Sequence, residues 1–193
     1  MSLTLNPRST ALVLIDLQKG ILSRPLAPHS GDVVITNAAK LGRRCAEVGG
    51  TIVLVRVSFS DDSADRLKQA VDAPMPVPTG GLPPDFSEFV PEIGALRAEV
   101  VITKRQWGAF HGTELDLQLR RRGITDIILG GVATNFGVES TAREAWQHNY
   151  GIIIAEDACT SLGPDLHQFA LEKIFPRIAR VRSTAQILAA IHA

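Results

Sequence analysis

The chain has 193 residues, and its 20 Lys plus Arg balance its 20 Asp plus Glu, so no global field favours nucleic acid or an anionic membrane surface. It is long enough to bury a good core as one domain, residues 1–193, and no apolar run approaches the roughly 18 residues of a membrane span. The start, Met1-Ser2-Leu3-Thr4-Leu5-Asn6-Pro7, lacks the basic and apolar regions of a signal peptide, and Cys45 and Cys159 make neither a disulfide framework nor a zinc spacing, so a cytoplasmic protein is expected.

Ala11 to Ile15 is an apolar run that ends at Asp16 and reads as a strand buried on both faces. Val34, Ala38, Leu41 and Cys45 then share one helical face. Thr51 to Val57 is the second strand. Residues 73–86 contain five prolines, which exclude helix and inner strand. A loop of this length is a lid, a partner contact or a plain surface excursion. Val100 to Thr103 is the third strand, followed by a helix carrying Leu115, Leu119 and Arg122. Ile127 to Val132 is the fourth. It ends in Gly130-Gly131 and turns into a helix with Asn135 as N-cap and Val138, Ala142, Ala145 and Trp146 along one stripe. Gly151 to Ala155, a short strand near Ile178 to Val181, and a helix from Thr184 carrying Ile187, Leu188 and Ile191 complete the chain. Strands alternating with helices predict a three-layer α/β/α fold around a Rossmann-like, mainly parallel sheet of about six strands.

Ligands of such sheets bind outside the carboxyl ends of the strands. The polar residues there are Asp16 and Gln18; Ser58, Ser60 and Asp61; Lys104, Arg105, Gln106, Trp107 and Phe110; the Ala133 to Gly137 corner; and Glu156 and Asp157. Asp16, Lys104 and the corner are positioned to converge on one pocket. A strand–turn–helix corner presents free backbone N–H groups, and α/β enzymes often mount a nucleophile on it. Here the nucleophile position is Gly137.

Three segments carry a resemblance: Leu-Ile-Asp-Leu-Gln at 14–18, Lys-Arg-Gln-Trp-Gly-Ala-Phe-His-Gly-Thr-Glu-Leu at 104–115, and Gly-Val-Ala-Thr-Asn running on to Ala142-Arg143, with Gly151 to Ser161 also fitting. In this order they resemble the isochorismatase-like (cysteine hydrolase) superfamily over nearly the whole chain. The resemblance puts Asp16 and Lys104 on two members of the family's Asp–Lys–Cys triad and Gly137 on the cysteine. It also implies a cis peptide at Val132-Ala133, a small-molecule substrate and a homodimer or larger homo-oligomer.

Amidases of this family use the cysteine thiolate, a route that glycine closes. Isochorismatases of the family carry glycine there. By that resemblance Asp16 is the general acid that protonates an enol-ether carbon, Lys104 orients the anionic side of the substrate, and the N–H groups of Ala133 and Gly137 polarise an oxygen, at about 3 kcal/mol per donor. Ile15-Asp16-Leu17-Gln18 and Ala133-Thr134-Asn135, by contrast, resemble the cysteine branch, which makes the chain a hybrid. Lys104 beside Asp16 should lower its pKa, whereas an acid at neutral pH needs it raised by burial or a bound anion. These demands oppose each other.

Around the triad positions, Gln18, Trp107, Phe110, Ala133, Thr134 and Asn135 are expected to meet substrate. Gln18 has a turn role as its alternative, and Trp107 and Phe110 have core packing. Thr134 is a conceivable substitute nucleophile, but no histidine base is evident near it. Cys159 and Cys45 read as buried hydrophobes, and Glu139 and Arg143 as an i, i+4 pair. His29, His111, His148, His167 and His192 show no metal spacing, and Val57 to Asp62 lacks the zinc-binding pattern of nicotinamidase-like members, so neither metal nor cofactor is expected. Three readings stay open: a cysteine-free hydrolase acting on an enol ether such as isochorismate, a catalytically silent binding protein, and an amidohydrolase with an unconventional nucleophile.

Overall fold

The computed structural model describes residues 3–75 and 79–191. Six strands, β1 (Thr10–Ile15), β2 (Thr51–Val57), β3 (Val100–Lys104), β4 (Asp126–Val132), β5 (Gly151–Thr160) and β6 (Arg180–Arg182), form one parallel sheet in the order β3-β2-β1-β4-β5-β6. Side chains alternate across it, as the period of two in a strand requires. Val13, Ile15, Val53, Val55, Ile127 and Leu129 pack on one face against α4 (Leu115–Arg121) and α5 (Glu139–Gln147). Leu12, Leu14, Ile52, Leu54 and Ile128 pack on the other against α2 (Gly31–Glu47), α3 (Pro91–Gly94) and α7 (Thr184–Ala190). Every residue of β1 is buried because both faces are covered, which is why its sequence reads as an unbroken apolar run. Val34, Ala38, Leu41 and Cys45 are the buried face of α2, as their spacing predicts.

The chain winds outward from β1 through β2 to β3, then crosses back to lay β4 on the other side of β1. The connections therefore diverge above the carboxyl ends of β1 and β4 and open a crevice there.

Several boundaries differ from expectation. The helix after β4 starts earlier: a π-helical turn, Thr134–Val138, precedes α5, its N-cap is Ala133, and Val138 N–H donates to the Ala133 carbonyl at 3.2 Å. Asn135 is thus inside the first turn and is not the N-cap. Trp146, at the edge of the predicted stripe, is exposed, while Val138, Ala142 and Ala145 are buried. β5 continues past Ala155 because its register against β4 slips: Leu129 faces Ile154, but Gly131 faces Cys159. Glu156 and Asp157 lie in that irregularity rather than at the strand end, and Asp157 accepts from the Thr184 N–H and hydroxyl, both at 2.7 Å. The last strand lies at Arg180–Arg182, slightly later than predicted.

Within the proline-rich segment, residues 73–75 and 79–86 hold only turns and bends, and 76–78 lie outside the described residues. Its end seats on α1 (Lys19–Leu22). The Phe86 carbonyl accepts from Gly20 N–H at 3.1 Å, and the Phe86 ring fills the space a Cβ on Gly20 would take. Among the described residues no helix is long and apolar enough to cross a membrane.

Candidate active site

Asp16 leaves the end of β1 in the left-handed region, φ 53°, a conformation Asp tolerates better than most residues, while its N–H donates to the Val55 carbonyl at 2.9 Å. Lys104 ends β3, with β2 between it and β1. Its long side chain spans the gap and puts Nζ 2.7 Å from Asp16 Oδ2, with a second hydrogen bond to the Gln106 carbonyl at 3.1 Å. Both side chains are almost sealed from solvent, at 1% exposure for Lys104 and 8% for Asp16. Burial pushes the Asp16 carboxyl up to about 6; the charge and hydrogen bond of Lys104 and a backbone N–H at Val57 pull it down without cancelling that rise. The opposing demands are settled in favour of burial. Among the described residues Asp16 Oδ1, which is buried, has no hydrogen-bond partner.

The corner after β4 approaches this pair closely. A Cβ on Gly131, which has φ 127°, would collide with the Ile15 carbonyl oxygen, so only glycine lets β4 come this near β1. The Val132-Ala133 peptide is cis, as the resemblance implied. At Gly137 an added Cβ would meet Ile15 Cγ2 at 3.0 Å and Asp16 Oδ2 at 3.4 Å, so any side chain at 137 would stand against the Asp16 carboxyl. Among the described residues the Ala133 N–H has no acceptor.

The first four residues of the π turn each have a partner beyond it. Thr134 Oγ1 lies 2.8 Å from His167 Nδ1 on α6 (Pro164–Phe169). Asn135 Oδ1 accepts from the Ser161 hydroxyl. The Phe136 ring packs on Trp107, centroids 4.7 Å apart. The Gly137 carbonyl accepts from the Thr141 hydroxyl at 2.7 Å, and Thr141 Oγ1 accepts from Ala109 N–H at 3.2 Å, tying the turn to the segment after β3. That segment is fastened again by Glu144, which accepts from Phe110 N–H at 3.2 Å.

Of the residues singled out in the sequence, Asp16, Lys104, Ala133 and Gly137 come together, with Trp107 close by, half-exposed against Phe136. Others are placed differently. Gln18 is fully buried, and its amide is spent on backbone, donating to the Val57 and Phe86 carbonyls at 3.0 and 2.9 Å and accepting from Val57 N–H at 2.9 Å. It staples β2 to the loop end and has no donor left for substrate. Phe110 is core, stacked on His148 and packed near Tyr150. Lys104 is engaged with Asp16 and the Gln106 carbonyl and is sealed from solvent.

Thr134 does have a histidine beside it, contrary to expectation, and its buried hydroxyl is engaged with that ring. Cys159 is buried within β5, and burial pushes its thiol up to about 12; Cys45 is raised to about 11. Neither is a displaced nucleophile. Glu139 and Arg143 form the expected i, i+4 pair at 2.9 Å. Sequence reading gave no role to His167, Ser161, Thr141 and Glu144: Ser161 and Thr141 lie inside resembling segments, but His167, Ser161 and Glu144 reach the turn or its neighbour from 26 to 34 positions away. Among the described residues no three His, Cys, Asp or Glu side chains cluster as a metal site.

The sequence profile of the Isochorismatase domain matches residues 10–186. The chain belongs to the isochorismatase family. It is 49% identical over 189 residues to the isochorismatase family protein YecD of Escherichia coli O157:H7, covering 98% of this chain and 100% of that protein. An isochorismatase family protein from Burkholderia thailandensis superposes with a TM-score of 0.91 at 46% identity, over 98% of each chain. The N-carbamoylsarcosine amidase of Thermoplasma acidophilum superposes with a TM-score of 0.72 at 26% identity, over 91% of this chain and 96% of its own. This isochorismatase-family hydrolase therefore has an amidohydrolase among its structural neighbours, and its own candidate site holds a buried carboxyl–ammonium pair against the Ala133–Gly137 corner.

Proposed function

We propose that this hydrolase cleaves a small, anionic enol ether such as isochorismate by general-acid catalysis, without a cysteine nucleophile. The observation that carries this reading is the Asp16 carboxyl: among the described residues Oδ1 is buried and unpartnered, and a Cβ at Gly137 would stand only 3.4 Å from Oδ2. Lys104 occupies Oδ2, which leaves Oδ1 as the home of the proton. A carboxyl raised to about 6 holds a useful fraction of acid near neutrality and still releases it.

Asp16 donates its proton to the terminal enol carbon, and the ether oxygen stabilises the resulting oxocarbenium ion. Water adds to the carbon that bears this oxygen and returns a proton to the Asp16 carboxylate. The hemiketal then breaks its ether bond, releasing pyruvate and the ring alcohol. The Ala133 and Gly137 N–H groups polarise a substrate oxygen, at about 3 kcal/mol per donor. Lys104 acts through Asp16, fixing the carboxyl and keeping its pKa from rising further. The test is to incubate the protein with isochorismate and couple pyruvate to lactate dehydrogenase. Pyruvate release well above an Asp16→Ala control is expected; release no greater than the control overturns the reading.

The likeness to N-carbamoylsarcosine amidase favours a second reading, amide hydrolysis. With both thiols and Thr134 buried, water would then be the attacking group and the Asp16 carboxylate its base. Activity would rise, rather than fall, as pH passes about 6. A thermal shift with a ligand that is never turned over would instead mark a silent binding protein.

A further inference from the structure

The π turn is anchored twice from the far side of the corner. Ser161, the residue after β5, takes Asn135, and His167 on α6 takes Thr134. Thr134 comes directly after Ala133, whose N–H is one of the two donors of the reading above, and Gly137, the other, lies in the same turn. Thr134 is fully buried and His167 is 4% exposed, so their hydrogen bond does not exchange readily with water.

Among the described residues Thr134 Oγ1 has no partner but His167 Nδ1. The hydroxyl proton therefore goes to Nδ1, which makes His167 neutral with its hydrogen on Nε2. The reverse arrangement would leave a buried hydroxyl proton without an acceptor, at a cost of about 1–3 kcal/mol. The His29 ring stands edge-on to His167, centroids 5.5 Å apart.

We infer that His167 is a positioning residue: through Thr134 it fixes the backbone N–H groups of Ala133 and Gly137 on the substrate oxygen. Its effect on turnover rests on the enol-ether reading above; its effect on the corner does not. A donor aimed at a developing charge loses most of its value if it drifts by about an ångström, so loosening this anchor should act on kcat and spare KM.

The experiment compares His167→Leu, which removes the acceptor, with His167→Asn, whose amide oxygen falls near the position of Nδ1. Thr134→Val and Thr134→Ser repeat the comparison from the other side and keep the test open if the leucine variant fails to fold. Two readouts are taken. In 1H–15N spectra the Ala133 and Gly137 amide signals should move in His167→Leu and Thr134→Val and return towards wild type in His167→Asn and Thr134→Ser. In the pyruvate assay kcat should fall about 100-fold in the first pair with KM within about twofold, and recover to within about tenfold in the second. Folded His167→Leu or Thr134→Val protein with unmoved amide signals and unchanged kcat overturns the inference, as does failure of the conservative variants to restore either readout. A wild-type protein that releases no pyruvate refutes the enol-ether reading alone, and the amide signals still decide the positioning role.

Discussion

Asp16 sits between a buried environment that favours its neutral form and a lysine 2.7 Å away that favours the charged one, and burial is the larger effect. A general acid must be protonated to act, so kcat/KM should be flat below about pH 6 and fall about tenfold per unit above it. A pH series of initial rates reads this directly, and a profile that rises through about 6 would support the amidohydrolase instead. Asp16→Asn should show no such limb and no turnover above background. On the enol-ether reading, Gly137 sets the other half of the chemistry. Gly137→Cys brings a Cβ to 3.0 Å from Ile15 Cγ2 and 3.4 Å from Asp16 Oδ2, so the thiol would crowd the carboxyl. Enol-ether cleavage should drop about tenfold or more, and cleavage of an N-carbamoyl substrate absent from the wild type should appear. Parallel assays of both substrates test the two halves.

At the scale of elements, the turn after β4 departs from a regular α-helix start because every residue from 134 to 137 is drawn to a different neighbour. Thr141 is the strut with the most to lose. Its hydroxyl donates to the Gly137 carbonyl and accepts from Ala109 N–H, joining the π turn to the segment after Lys104. Thr141→Val keeps the shape and leaves both backbone groups buried without that partner. Stability should fall by about 1–3 kcal/mol, seen as a lower denaturant midpoint at unchanged slope. Activity should fall with it, since the Gly137 N–H is carried by the same turn.

For the whole molecule, the Asp16–Lys104 pair is a bond across the sheet, linking the ends of β1 and β3 over β2. Lys104→Met removes one charge and strands the other. Losing half of a buried pair costs about 3–5 kcal/mol. The remaining carboxyl should titrate above the wild-type value, so at high pH the melting temperature of Lys104→Met should fall further than at low pH. The wild type carries a related signature. The folded-state pKa of Asp16 is raised from 3.8 to about 6, so the stability this group contributes is complete below about pH 4 and is lost as pH rises through about 6. Asp16→Asn lacks that loss. Its melting temperature should therefore gain on that of the wild type between about pH 4 and about pH 7, which differential scanning calorimetry across that window measures.

Hydrophobic periodicity reveals the layers because burial on both faces of a parallel sheet, or on one stripe of a helix, forces it on the sequence. Asp16, Lys104 and the 133–137 corner were legible as polar groups ending apolar strands. The termini of β5 and of the corner helix were not, since a register slip and a π turn answer to neighbours far along the chain. Gln18 and Phe110 look like site residues by position, yet the hydrogen-bond and packing partners that claim them lie on other elements. His167 and Thr134 are 33 positions apart and share no motif, so only the folded chain could join them. The sequence by itself determined the layered sheet, the end of it where the candidate site lies and the absence of a side chain at 137. Tertiary structure decided the protonation of Asp16, because a pKa depends on how completely water is excluded around the group, and on which charge stands beside it.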